Sequence, residues 1–299
     1  MRRFAIVVIF TAVLAASCSK TPVSPSTGTS SGTPAAGASM TPQILVGAGD
    51  IARCGSEGQE QTAALLDGIG GTVFTAGDNA YPNGRLEDYR DCYASSWGRH
   101  RNRTYPSPGN HEYDIPGATG YFEYFGARAG SGEGYYAYSL GTWRIFSLNS
   151  EIPASAGSPQ ALWLEKELAA AGARCAAAYW HRPRFSSGSH GDNRDMTDLF
   201  RILYAAGVEF VIGGHDHLYE RFARMSPDGV ADPNNGVRSF VAGTGGTPTS
   251  MPLIVRAGSE AQLAAWGVVR FDLSSTGYRW QFVQAGGGAI LDSGSDECH

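Results

Sequence analysis

Long apolar runs, excess positive charge and internal repeats are all lacking in this chain of 299 residues. The longest apolar run, Phe4 to Ala16, has 13 residues, and crossing a bilayer core takes roughly 20. No stretch is therefore long and apolar enough to cross a membrane as a helix. Lys and Arg number 23 against 28 Asp and Glu, a formal net charge of −5. No long-range field draws in a phosphate backbone, so general nucleic-acid binding is not expected. Small phosphorylated ligands stay admissible, because a bound metal ion can outweigh the global field locally. The five cysteines show no zinc-knuckle spacing, and the absence of a repeat argues against solenoids and propellers.

What is present suits a large globular unit. Hydrophobic residues make up 42% of the chain, enough for a sizeable core. The 40 glycines favour a loop-rich α/β protein over a helical bundle. Arg2 and Arg3 before Phe4–Ala16 read as the start of a secretory signal, whose apolar region runs about 7–15 residues. The run ends Leu14-Ala15-Ala16-Ser17-Cys18, similar to a bacterial lipobox, although Ala15 stands where a branched residue is usual. The expected organisation is a signal peptide over 1–18 with a possible lipid anchor on Cys18, a disordered Ser/Thr/Pro/Gly linker over 19–42, and a catalytic domain over 43–299. The protein is expected outside the cytoplasm, periplasmic or at the cell surface. Cys54, Cys92, Cys175 and Cys298 are an even set suited to two disulfides. Of the three possible pairings, Cys54 with Cys92 is favoured because both follow early strand-end loops, which leaves Cys175 with Cys298.

Periodicity predicts strands at Gln43–Ala48, Thr72–Ala76, Tyr135–Leu140, Arg144–Leu148, Ala176–Trp180 and Val208–Ile212. Helices are predicted at Gln59–Asp67, Leu86–Trp97, Met196–Ala206 and Pro159–Ala171, the last with proline at its start and Gly172 behind it. The remainder, with runs near Ser239–Ala242, Val268–Leu273 and Tyr278–Val283, reads as β. Alternating strands and helices followed by a β-rich end indicate an α/β fold.

The polar residues carry the functional signal. Asp50, Asp78, His181 and His215 each fall just past a predicted strand, and open α/β sheets gather their sites at strand carboxyl ends. The chemistry-bearing segments, in order, are Gly49-Asp50, Gly77-Asp78-Asn79-Ala80-Tyr81, Gly109-Asn110-His111-Glu112, Trp180-His181 and Gly214-His215-Asp216-His217. Singly each is weak: Gly-Asp after a strand is more often a turn, and a lone His is often a satisfied core residue. Taken together, they resemble the calcineurin-like metallophosphoesterases, and within that superfamily the purple acid phosphatases. Ala52 stands where most of that superfamily carries a histidine ligand, and Tyr81, three residues after Asp78, is the purple acid phosphatase feature.

The resemblance implies a four-layer α/β/β/α sandwich of two mixed sheets flanked by helices. It implies two metal ions: Asp50, Asp78, Tyr81 and His217 around Fe(III), with Asp78 bridging, and Asn110, His181 and His215 completing a second site for Fe(II), Zn or Mn. Hard oxygen donors with imidazoles suit those ions. The implied reaction is phosphomonoester hydrolysis by a metal-bound hydroxide, with His111 and His190 as candidate catalytic residues. Gly191 replaces the second histidine that plant relatives carry after His190. Asp216 and Glu220 are expected to orient neighbours, Arg182 and Arg184 lie near enough to steer phosphate, and Arg99-His100-Arg101-Arg103 reads as a solvated face, with His299 a bystander. The expected partner is a small phosphorylated substrate, and the expected state is a monomer. The alternatives are a phosphodiesterase acting on nucleotides or lipid head groups, and a surface binding protein that keeps the scaffold without turnover.

Overall fold

The computed structural model describes residues 42–299. The expected leader, Cys18 and the linker up to residue 41 lie outside the described residues. Within them, thirteen strands form two sheets. The first sheet contains β1 (Gln43–Ala48), β2 (Thr72–Ala76), β3 (Thr104–Ser107), β11 (Gly267–Leu273), β12 (Gly277–Gln284) and β13 (Ile290–Glu297), in the order β13-β12-β11-β1-β2-β3. The second contains β4 (Tyr136–Leu140), β5 (Trp143–Ser147), β6 (Cys175–Tyr179), β7 (Phe210–Gly213), β8 (Tyr219–Met225), β9 (Val237–Ala242) and β10 (Ser259–Leu263), in the order β10-β8-β9-β7-β6-β5-β4. Both are mixed. β1, β2 and β3 run parallel, as do β5, β6, β7 and β9, and antiparallel strands complete each sheet.

Strict alternation along the strands builds the layers. Leu45, Phe74, Ile145, Phe210, Phe240 and Phe271 share the core between the sheets. Their sequence neighbours Val46 and Val73 turn to the opposite face of the first sheet, beneath Ala63 and Leu66 of the helix Gly58–Gly68. Phe146 and Val211 likewise turn outward on the second sheet, beneath the helices Pro159–Ala171 and Thr197–Ala205. The result is the expected α/β/β/α sandwich.

Most predicted elements fall within a residue or two of their observed bounds, but Leu86–Trp97 is not one helix. It divides into a helical turn at Leu86–Asp88, a π-helical segment at Tyr89–Tyr93 and a 3₁₀ segment at Trp97–Arg103. The wider π turn, with Ala94 N–H donating to Tyr89 O at 2.8 Å, lets Tyr89, Cys92 and Tyr93 all face inward.

Both favoured disulfides form, Cys54–Cys92 and Cys175–Cys298. The second joins the start of β6 in one sheet to the residue after β13 in the other, across a sequence separation of 123. Closing so long a loop restricts the unfolded chain, worth about 4–5 kcal/mol in the chain-entropy model. Replacing Cys298 with Ser is expected to cost most of that in urea unfolding. Amide exchange should show β13, an edge strand with exposed Ile290 and Leu291, losing protection first.

Candidate metal centre

The parallel strands deliver the polar residues to one edge. Past β1 and β2 the two chains continue side by side: Asp50 N–H donates to Gly77 O, Ile51 to Asp78 O and Ala52 to Asn79 O, at 2.9–3.1 Å. Ala52 is buried within this pairing. The second sheet closes on the first through His181, whose ring Nδ1–H donates to Ala76 O at 2.9 Å, and through His215, whose backbone N–H donates to Asp50 Oδ2 at 2.8 Å.

Local backbone strain marks the same places. Only four non-glycine residues among those described have positive φ, and Asp50 (60°), Asp78 (49°) and His215 (69°) are three of them. Such conformations cost of order 1–3 kcal/mol each and persist where the surroundings over-determine them. Aspartate and histidine both enter the left-handed region several-fold more often than most non-glycine residues. Gly109 allows the third loop to approach: a Cβ on it would lie 2.3 Å from Asp78 Oδ1. Gly77, at φ 77°, would likewise place a Cβ 2.5 Å from the His181 Cβ.

Two groups of donor atoms share one carboxylate. On one side the Tyr81 hydroxyl is 3.0 Å from both Asp50 Oδ1 and Asp78 Oδ2, and His217 Nε2 is 3.2 Å from Asp50 Oδ1. On the other, His181 Nε2 lies 3.3 Å from that same Asp78 Oδ2, 3.0 Å from Asn110 Oδ1 and 3.1 Å from His215 Nδ1. Asp78, His181 and His215 offer ligand atoms all within 4.8 Å of one another.

This donor set fits a cation. It is oxygen and imidazole without thiolate, and Asp50, Asp78 and His181 are almost completely buried. His181 Nε2 and His215 Nδ1 face each other, so a proton on one ring or a cation between both must separate their lone pairs. The site draws positive charge. Burial alone would lower His181, yet the Asp78 carboxylate, with Asp50 and Glu151, raises it to about 10. Burial and the charges of His181, His190 and Arg182 push His215 far down. The Tyr81 phenol is pushed well up by burial and by the Asp50 and Asp78 charges, a bias that a cation beside it would reverse.

The remaining sequence candidates divide by position. His111 stands at the rim: its ring Nδ1–H donates to Pro82 O at 2.6 Å, its Nε2 is 3.7 Å from Asp78 Oδ2, and its ring lies 4.4 Å from that of Tyr81. The half-exposed His190 ring lies 4.1 Å from the His215 ring, and Asp216 Oδ1 holds His190 through its backbone N–H at 2.9 Å and its ring Nδ1 at 3.1 Å. Asp216 also accepts from Ser186 Oγ, and Glu220 from Ser187 and Ser259, so these two carboxylates shape the loop bearing His190. Arg182 reaches the centre, with Nη1 3.2 Å from His215 Nε2 and Nε on Glu151. Arg184 does not join it; its bond runs to Pro227 O and it stacks on Phe185. Arg99 pairs with Asp67 and Glu60, His100 pairs with Asp67, and His299 pairs with Glu209, all away from the centre.

Glu112 has a role that sequence reasoning did not assign. Fully buried, it accepts from the backbone N–H groups of Asp78, Asn79, Ala80 and Gly109 and from the Tyr89 hydroxyl, at 2.7–3.3 Å. Burial and the Asp78 charge raise it to about 8, against the pull of the Gly109 N–H and His181. Its signal was adjacency alone, as the last residue of Gly109-Asn110-His111-Glu112.

Residues 42–219 match the calcineurin-like phosphoesterase family model, and the chain belongs to that family. Among curated proteins it is 27% identical to purple acid phosphatase 15 of Arabidopsis thaliana over 191 residues, covering 51% of this chain and 36% of that one. It is 30% identical to the probable purple acid phosphatase 20 of the same plant over 102 residues, covering 31% and 24%. The matches thus span about a third or less of those relatives. Among solved structures it superposes on the yellow lupin purple acid phosphatase PPD1 with a TM-score of 0.73 and 20% identity, covering 85% of this chain and 53% of that one. GAP50 of Plasmodium, described as the anchor in the inner membrane complex, gives a TM-score of 0.70 at 14% identity, covering 87% and 90%.

Proposed function

We propose that this protein is an exported metallophosphoesterase that hydrolyses phosphomonoesters at a dinuclear centre. The observation that carries the reading is Asp78 Oδ2, placed within 3.3 Å of both Tyr81 and His181 where two donor groups meet. Asp50, Asp78, Tyr81 and His217 would hold one ion, Fe(III) being the one a phenolate favours, and Asp78, Asn110, His181 and His215 a second, such as Fe(II), Zn or Mn. Two such ions would supply Lewis acidity and an ionised water.

The chain's own residues do the rest. His217 keeps its Nε2 on Asp50 because Nδ1 donates to Pro248 O at 3.2 Å, a carbonyl partner that fixes ring orientation. His111, its Nδ1–H occupied by Pro82, keeps Nε2 towards the centre to hold a proton for the leaving alkoxide. His190 stands at the opposite rim on Asp216. Water adds to phosphorus, the ester P–O bond breaks, and the alcohol departs with that proton. Two disulfides support an oxidising compartment. No helix among the described residues is long and apolar enough to cross a membrane, and Cys18 is the proposed lipid attachment site.

The test uses the purified full-length chain loaded with iron and zinc. It is expected to hydrolyse p-nitrophenyl phosphate faster than bis(p-nitrophenyl) phosphate, to lose at least a hundredfold on chelation, and to bleach on Tyr81→Phe. Metal uptake without hydrolysis of either ester would sink the proposal. Full activity without colour would remove Fe(III) alone.

A further inference from the structure

Arg182 brings a guanidinium to the centre on its His215 side, with Nη1 3.2 Å from His215 Nε2. Its backbone is fixed at both polar groups. The N–H donates to Ser150 Oγ at 3.0 Å, and the carbonyl accepts from the ring N–H of the buried Trp180 at 2.7 Å. The side chain is held as well: Nε–H donates to both oxygens of Glu151, at 2.9 and 3.0 Å. Glu151 is anchored in turn, with its backbone N–H on Asn149 Oδ1 and the Ser150 hydroxyl on its carboxylate at 2.8 Å. Ser150 thus ties the backbone of the arginine to the carboxylate that holds its head.

A guanidinium carries several N–H donors in a planar fork. Nε–H is taken by Glu151 and one donor on Nη1 faces His215, and no other acceptor among the described residues bonds the head. The free donors have room. A cavity of about 570 Å³ runs along Arg182, lined also by Glu151, Pro153, Asn193 and Asp198. The Arg182 side chain is 30% exposed while that of Glu151 is 8% exposed, so the donors are accessible and the carboxylate that aims them is sheltered. Such a fork matches phosphate oxygens. A monoester dianion presents three outer oxygens sharing two charges. A diester presents two sharing one, with an uncharged alkoxy group in place of the third.

Resting on the phosphoesterase reading of this centre, we infer that Arg182, aimed by Glu151, grips an outer oxygen of the bound phosphoryl group and so selects monoesters over diesters. Arg182 touches the substrate, and Glu151 is a positioning residue. In a diester the fork meets the alkoxy oxygen and its carbon, and the charge-assisted bond is lost. His111, on the Tyr81 side, stays free to serve the departing oxygen.

Methylphosphonate and its monomethyl ester differ only in the methylation of one outer oxygen, so calorimetry with the full-length, metal-loaded protein reads this contact by binding alone. The wild type is expected to bind methylphosphonate about tenfold more tightly than the ester. Arg182→Ala should weaken methylphosphonate about thirtyfold, as loss of a charge-assisted contact implies, and the ester far less, with bound metal and melting temperature retained. Arg182→Lys keeps the charge without the fork and should fall between. Glu151→Gln should weaken methylphosphonate about fivefold and add nothing to Arg182→Ala, because it acts only through the group it positions. In steady state, Arg182→Ala should lower kcat/KM for p-nitrophenyl phosphate and leave that for bis(p-nitrophenyl) phosphate nearly unchanged. Equal weakening of both ligands, or metal loss from Arg182→Ala, would show that Arg182 acts on His215 and not on substrate, and overturns the inference. Unchanged binding by Arg182→Ala overturns it too, and additive losses in the double variant overturn the part given to Glu151. A wild type that binds neither ligand and hydrolyses neither ester overturns the phosphoesterase reading itself, whereas equal affinity for both ligands in an active wild type overturns the inference alone.

Discussion

Asp78→Asn is expected to leave a folded protein that hydrolyses phosphoesters at least a thousandfold more slowly and no longer retains two metal ions per chain. Asp78 holds a left-handed backbone conformation at φ 49°, which asparagine tolerates almost as well, so the exchange isolates charge and ligation from the fold. What it removes is the one carboxylate common to both donor groups. Metal centres contribute several kcal/mol of transition-state stabilisation, and a thousandfold corresponds to about 4 kcal/mol. In the wild type, burial is outweighed by the charges of His181 and His111, which hold Asp78 well below the ordinary carboxylate range. The amide removes the partner that keeps His181 charged, so the His181 imidazole should titrate markedly lower in the metal-free variant by NMR. Elemental analysis with circular dichroism and a phosphatase assay decides the rest. Retained activity with two metals bound would show that Asp78 bridges nothing.

Glu112→Ala should act on the fold first. Five donors end on this one buried carboxylate: four backbone N–H groups, from Asp78, Asn79, Ala80 and Gly109, and the Tyr89 hydroxyl. Each buried donor left unpaired costs about 1–3 kcal/mol, although water entering the space would recover part of it. A net loss of about 3–5 kcal/mol in urea unfolding is expected, a large share of a typical domain's stability. Metal affinity should fall alongside, because the freed loop is the one that places Asp78 and Tyr81. Glu112→Gln should lie between, since an amide keeps one acceptor oxygen but sets an NH₂ against backbone donors. If Glu112→Ala unfolds at the wild-type urea concentration, the loop is held by its strands and not by this side chain.

Legibility in the sequence followed the range of the interactions. Strands such as Gln43–Ala48 and Thr72–Ala76 announced themselves because side-chain alternation is local, and the Gly-Asp steps after them marked where chains turn at a sheet edge. The helix Pro159–Ala171 was readable from Pro159 and Gly172 for the same reason. Ile290–Glu297 lacked such a mark, since only Ile290 and Leu291 are large apolar residues there and pairing with β12 supplies its order. Tyr89–Tyr93 misled because helical spacing cannot reveal that Tyr89 must reach Glu112 while Cys92 must reach Cys54.

By itself, then, the sequence determined the supply of candidate ligands: which hard oxygens and imidazoles exist, that Asp50, Asp78, His181 and His215 each follow a strand, and that four cysteines suit two bridges. Only the tertiary structure decided that Asp78 Oδ2 is the atom common to both donor groups, that Arg182 reaches His215 while Arg184 turns away, and that Glu112 gathers the loops. The reason is distance along the chain. Tyr81 and His217, or Asp78 and His181, are separated by more than a hundred residues, and nothing local encodes a contact that exists only once two sheets have packed.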